Sequence, residues 1–140
     1  MLHGDESVLS MANFRELRVW QAAEELAVQA HRTLAHIRGP RSKTLCDQFF
    51  RAAMLVPTNI VEGHAHTSPR ERARFLGYAL ASAWEVEGHV QLASDLHMIT
   101  AKDYEMLLDR VINVRRMLYG LLKKVRTWEP KKRAAEGKDT

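Results

Sequence analysis

The sequence predicts an all-α protein, an up-and-down antiparallel four-helix bundle. Three observations predict it. Four segments repeat apolar residues every three or four positions, those segments carry start and stop signals, and no segment has the two-residue alternation of a half-buried strand. The chain has 140 residues, 46% of them hydrophobic, which suits one domain with a genuine core.

The first helix is expected from Asn13, with Glu16 three residues later in the form of a capping box. Its apolar positions are Leu17, Trp20, Ala23, Ala27, Ala30, Leu34 and Ile37, and Gly39-Pro40 stops it. The second starts after Ser42 and presents Leu45, Phe49, Ala52, Val56 and Ile60. Pro57 lies inside that pattern, so a kink is expected, and Gly63 suits a left-handed residue closing the helix. Ser68-Pro69-Arg70-Glu71 opens the third with an N-cap hydroxyl, a proline at the first helical position and an acid in the first turn. One stripe of this helix holds Phe75, Ala79, Val86, Val90 and Ala93, and a second side holds Tyr78, Leu92, Leu96 and Ile99. A helix apolar on two sides has more to bury than one bundle core needs, which points to self-association. The fourth helix opens at Thr100 with Asp103 and buries Tyr104, Leu107, Leu108, Val111, Leu118, Leu121, Leu122 and Val125. Asn113, Arg116, Gly120, Lys123 and Lys124 fall on its opposite face, with Arg115 and Arg126 on a flank. The organisation expected is a flexible leader over residues 1–12, a bundle over 13–128 with helices near 14–37, 43–63, 69–97 and 101–128, and a disordered basic and polar tail over 129–140.

The net charge is +4, but it is not spread evenly. Residues 1–109 carry 11 Lys/Arg and 14 Asp/Glu, whereas residues 110–133 carry nine Lys/Arg and one acid. A positive segment on a near-neutral body is the footprint of polyanion binding. The expected contacts are Arg110, Arg115, Arg116, Lys123, Lys124, Arg126, Lys131, Lys132 and Arg133, made to phosphates more than to bases. A solvated helix face is the plainer alternative. It leaves the mutual repulsion of these cations without an offset.

Catalytic signatures are missing. A di-iron bundle needs Glu-x-x-His on two helices, and none of His31, His36, His64, His66, His89 and His97 has an acid three residues before it. Glu85 and Glu87 point roughly 200° apart on a helix, so they form no carboxylate pair. Cys46 is the lone cysteine, His64-Ala65-His66 offers two of the four ligands of a structural zinc, and no phosphate loop is present. No enzyme activity, metal or cofactor is expected. No apolar run reaches a membrane span, and the Met1–Ser10 stretch with Asp5 and Glu6 lacks the form of a secretory signal, so a cytoplasmic location is expected.

Several stretches are more specific. Phe14-x-x-Leu17-x-Val19-Trp20-x-x-Ala23 is followed by Gln48-x-x-Arg51-Ala52-Ala53-x-x-Val56-Pro57-x-Asn59-Ile60-Val61-Glu62-Gly63, then Ser68, Glu71, Phe75-Leu76 and Ser82-x-x-Glu85-x-Glu87. Over about residues 13–125 the chain resembles the four-helix-bundle family encoded within intervening sequences of bacterial 23S ribosomal RNA genes. The resemblance implies a ring-forming homo-oligomer, a pentamer, with a basic surface. It also implies kinship to the accessory variability determinant of diversity-generating retroelements, which binds nucleic acid and partners a reverse transcriptase. His66 and Phe50 stand where that family often has arginine, which shifts the weight toward the C-terminal cations.

Within the motif, Glu62 is expected to pair with Arg74 and Arg51 with Glu85, fixing the register of the second and third helices. Trp20, Pro57, Asn59, Gly63 and Ser68 are expected to serve structure as well. The leading expectation is a non-catalytic oligomer that binds RNA. Behind it come an adaptor for a reverse transcriptase and its RNA, and lastly a metal-dependent bundle enzyme.

Overall fold

The computed structural model describes residues 13–127. A 3-10 turn over Phe14–Glu16 leads into α1 (Arg18–Leu34), followed by α2 (Ser42–Ala65), α3 (Pro69–Asp95) and α4 (Ala101–Arg126), with no strand among the described residues. The expected leader and tail lie outside the described residues.

Each helix packs on its neighbour in sequence, and α4 closes the bundle against α1. Pairings across α2 and α3 run antiparallel, with Phe49 stacked on His89 at 5.7 Å between ring centroids near one end and Gly63 beside Phe75 near the other. Across α3 and α4 the Tyr104 hydroxyl donates to Gln91 at 2.7 Å and Arg115 meets Glu87 at 3.0 Å. The core is a continuous stack of Val19, Ala23, Leu26 and Ala30 from α1, Phe49, Ala52, Ala53, Val56 and Ile60 from α2, Leu76, Ala79, Ala83, Val86, Val90 and Ala93 from α3, and Leu107, Val111, Val114, Leu118 and Leu122 from α4. Small residues on α2 and α3, Ala52, Ala53, Gly63, Ala79 and Ala83, are buried where those two helices pack.

The helix starts at Ser68 and Thr100 match their sequence signals. The Ser68 hydroxyl accepts from the Glu71 amide at 3.5 Å and the Thr100 hydroxyl from the Asp103 amide at 3.1 Å. The first start differs. Leu17 is extended (φ −72°, ψ 122°), so the helix proper begins at Arg18, and Asn13 donates to the Glu16 side chain at 3.1 Å instead of capping a backbone amide. Trp20 packs edge-on against Phe14 at 5.0 Å and covers this entry.

The second helix corrects another expectation. Gly63 is an ordinary helical residue two positions before the end of α2, not a left-handed terminator; among the described residues Gly39 is the glycine with positive φ. A Cβ at Gly63 would sit 3.3 Å from Phe75 Cβ and 3.4 Å from the Arg72 carbonyl oxygen, so glycine here lets α2 and α3 approach. Pro57 lies within an unbroken α2 and cannot donate to the Ala53 carbonyl. Around it, the Thr58 hydroxyl donates to the Met54 carbonyl and Asn59 Nδ2 to the Leu55 carbonyl, both at 2.8 Å. These side-chain bonds hold the turn in which the proline has removed a backbone donor, which gives Asn59 its structural role.

The α3–α4 turn is closed by a left-handed histidine. His97 has φ 57°, its amide donates to Ser94 at 3.0 Å, and the Met98 amide reaches the Ala93 carbonyl at 2.9 Å. This is the double bond of a Schellman cap, with histidine where glycine is usual.

Candidate nucleic-acid interface

The antiparallel topology gathers the start of α1, the end of α2, the start of α3 and the end of α4 at one end of the bundle. Residues 13–19, 57–81 and 119–127 meet there and carry eight Lys/Arg against three Glu, a surplus of +5. The remaining described residues carry nine Lys/Arg and nine Asp/Glu, so the whole net charge of the described chain sits at this end.

On α4, Arg116, Lys123, Lys124 and Arg126 are exposed, and none forms an ion pair with a described residue. Arg72 of α3 joins them: with Lys124, Thr67, Pro69 and Val125 it lines a cleft of about 360 Å³. Its Nε donates to the His66 carbonyl at 2.6 Å, which ties the α2–α3 connection to α3 and orients the guanidinium. His66 in turn stacks on Phe75 at 5.1 Å with the rings 7° from parallel. Arg15, Arg18 and Arg70 are exposed at the same end. Arg15 of the 3-10 turn, Arg18 of α1 and Arg70 and Arg72 of α3 are not apparent as partners of the α4 cations from sequence because they lie far from α4 in the chain. The signal that finds them is the antiparallel order itself.

Helix electrostatics explain part of this pattern only. Lys123, Lys124 and Arg126 occupy the last turn of α4, where the negative end of the helix dipole favours cations by about 0.3–1 kcal/mol each. Arg18 is the first residue of α1, which has no acid in its first turn, and Arg70 and Arg72 lie in the first turn of α3. There the dipole disfavours cations. For Arg72 the bond to the His66 carbonyl at the C-terminal end of α2 offsets this, so the cost falls on Arg18 and Arg70, as it does on Lys43 and Lys102 in the first turns of α2 and α4.

Other expected contacts are placed elsewhere. Arg115 is committed within the chain: its Nε donates to Glu87 Oε1 at 3.0 Å, its guanidinium lies 4.0 Å over the Trp84 ring, and both charged side chains are largely covered. Arg110 turns toward α1, with Nη2 3.8 Å from Glu25 Oε1 and its Nε buried without a hydrogen-bond partner. Neither is a free landing point for phosphate. Lys131, Lys132 and Arg133 lie outside the described residues.

The two expected interhelical salt bridges do not form. Glu62 is exposed and pairs with no described cation, and Arg74 bonds Glu71 at 3.2 Å and the Tyr78 hydroxyl at 3.0 Å on its own helix. Arg51 is exposed, and Glu85 faces His89 at 3.9 Å. The register was right and the rotation was not: two residues on from a buried position, as Arg51 is from Phe49 and Glu62 from Ile60, the side chain has turned about 200° away from α3.

Among the described residues no group of three or more His, Cys, Asp or Glu is placed to hold a metal ion, and no helix is long and apolar enough to cross a membrane. Burial, reinforced by the Asp47 carboxylate, pushes the Cys46 thiol up, which makes it a poor nucleophile at neutral pH.

Comparison with known proteins places this arrangement. The profile of the 23S rRNA-intervening sequence proteins matches residues 15–120. The chain belongs to that family. A solved structure from Bacteroides thetaiotaomicron, a protein of unknown function from the S23 ribosomal protein family, shares the fold with a TM-score of 0.68 at 21% identity. The alignment covers 75% of this chain and 95% of that one. No curated protein matches. The family match reaches into all four helices and includes the Pro57–Gly63 run, and it ends at residue 120, before Lys123, Lys124 and Arg126.

Proposed function

We propose that this member of the 23S rRNA-intervening sequence protein family is a non-catalytic, oligomeric RNA-binding protein of the cytoplasm that engages phosphates with the charged end of its bundle. The observation that carries the reading is the +5 surplus at that end. Lys123, Lys124, Arg126, Arg72, Arg70 and Arg18 are the contacts at that end, Arg116 is a further exposed contact nearer the middle of α4, and Lys131, Lys132 and Arg133 are proposed contacts from outside the described residues. Self-association belongs to the reading as well. Tyr78, Leu92 and Leu96 leave 46%, 46% and 55% of their surface exposed on one side of α3, an apolar face that a second copy would cover. Five copies, the number the family resemblance implies, would raise a formal +4 to about +20 and add weak phosphate contacts through avidity.

Titration of labelled RNA at several salt concentrations, with light scattering on the same samples, tests both parts. Affinity should fall by roughly 10³–10⁵ between 50 and 200 mM salt if about 6–10 phosphates are contacted. A Lys123→Gln, Lys124→Gln double variant should reduce the slope of log K against log salt by about two. Affinity that is flat across that range rejects the RNA reading. A monomer at every concentration rejects the assembly.

A further inference from the structure

Among the described residues Tyr119 is the most exposed large apolar side chain, at 62%, and it sits in the middle of the cationic half of α4. The i+4 position is Lys123 and the i+7 position Arg126, so both cations stand on the same stripe of the helix above the ring. Together with Leu122 and Thr127 they line a slot of about 250 Å³ whose floor is apolar and whose rim is positively charged. One turn toward the middle of α4 lies Arg115, held over the ring of Trp84 at 4.0 Å and fixed there by Glu87. Trp84 itself is 53% exposed. Along the α3–α4 flank the order is therefore aromatic, cation, aromatic, cation: Trp84, Arg115, Tyr119, then Lys123 and Arg126.

An exposed tyrosine ring between cations has different ligand chemistry from a plain basic patch. Cations alone attract any polyanion, and a duplex satisfies them with its regular phosphates. Aromatic faces add something only when a base is unpaired and can leave its stack to lie on the ring. We propose that the Tyr119 slot seats an unpaired nucleobase, stacked on the tyrosine ring, with Lys123 and Arg126 taking the flanking phosphates. This makes single-stranded RNA, not duplex, the preferred ligand. The inference rests on the RNA-binding reading above and adds the form of RNA to it.

The test uses the full chain with a labelled unstructured oligouridine and a perfect RNA duplex of equal length, titrated at one salt concentration and then across a salt series. Wild type should bind the single strand more tightly. Tyr119→Ala should weaken single-strand binding by roughly 5- to 100-fold, the range of one lost base–aromatic stack. The salt slope should stay unchanged, because no cation is lost. Tyr119→Phe should retain wild-type affinity, and duplex binding should be the same in all three proteins. The side chain is exposed, so matching thermal melts will show that both variants are folded. Equal single-strand affinity for wild type and Tyr119→Ala, or tighter binding of the duplex, would overturn the inference while leaving salt-dependent RNA binding intact. Binding of neither RNA would remove the parent reading and this one with it.

Discussion

Replacing Gly63 with alanine separates two physical effects that act in opposite directions. Within a helix, alanine is favoured over glycine by about 1 kcal/mol. At Gly63 the added Cβ would meet Phe75 Cβ at 3.3 Å, the Arg72 carbonyl oxygen at 3.4 Å and Leu76 Cγ at 3.8 Å. The first two contacts are to atoms of the α3 backbone or directly bonded to it, so no side-chain rotation relieves them. α2 and α3 must move apart by a few tenths of an ångström where Leu76 and Ile60 are almost fully buried. Overpacking of this kind costs about 1–3 kcal/mol. The net expectation is a loss of about 1 kcal/mol. Gly120→Ala is the internal control: it lies within α4, exposed, and its Cβ would meet nothing within 4 Å. There the helix gain of about 1 kcal/mol should appear undiminished. Urea unfolding of the two variants at equal protein concentration, which also holds any self-association constant, should give shifts of opposite sign. If Gly63→Ala stabilises as much as Gly120→Ala, close helix approach is not the reason for glycine at this position.

Two further outcomes follow from the fold. His97→Gly should stabilise by about 0.5–1 kcal/mol, because left-handed backbone costs a side-chain-bearing residue about 1–2 kcal/mol and glycine returns part of that through its freer unfolded chain; an unchanged or lower melting temperature would show that the histidine ring makes a compensating contact. Glu87→Gln should cost about 0.5–1 kcal/mol, since Glu87 and Arg115 are 25% and 22% exposed and hydrogen-bonded, whereas Glu62→Gln should change stability by less than about 0.5 kcal/mol. Equal effects at the two positions would refute the distinction between the pair that forms and the glutamate left in solvent.

Much of the fold was legible because helix periodicity and capping are local. The hydroxyls of Ser68 and Thr100 needed only three residues of context to be placed as N-caps, and both accept the amide three residues on. Antiparallel order was legible too, since the connections between helices are short. Rotation about each helix axis was not, because it depends on how neighbours share the core. On α1 the buried stripe runs through Val19 and Leu26, leaving Leu17, Trp20 and Ala27 only partly covered at its edge. On α2 the same limitation misassigned Glu62 and Arg51, whose spacing from Arg74 and Glu85 was right and whose direction was not. Gly63 was misread for a related reason: a glycine near a helix end fits a terminator as well as a contact point, and only the distance to Phe75 separates the two.

Charge shows the same division between what a linear reading can and cannot reach. Counted along the chain, residues 1–109 are net acidic and the basic character belongs to the C-terminal segment alone. Folding redistributes it, bringing Arg15, Arg18, Arg70 and Arg72 to the end that already holds Lys123, Lys124 and Arg126, and withdrawing Arg110 and Arg115 into contacts with Glu25 and Glu87. The cations that remain outward include those at the starts of α1 and α3, where helix electrostatics alone would select acids. The opposite end shows the same opposition, with Lys43 and Lys102 in the first turns of α2 and α4 and Asp95 in the last turn of α3, but there nine cations are balanced by nine anions over the remaining described residues. The size of the unbalanced surplus at one end, and not opposition to the helix dipoles, is therefore the feature on which the proposed phosphate contacts rest.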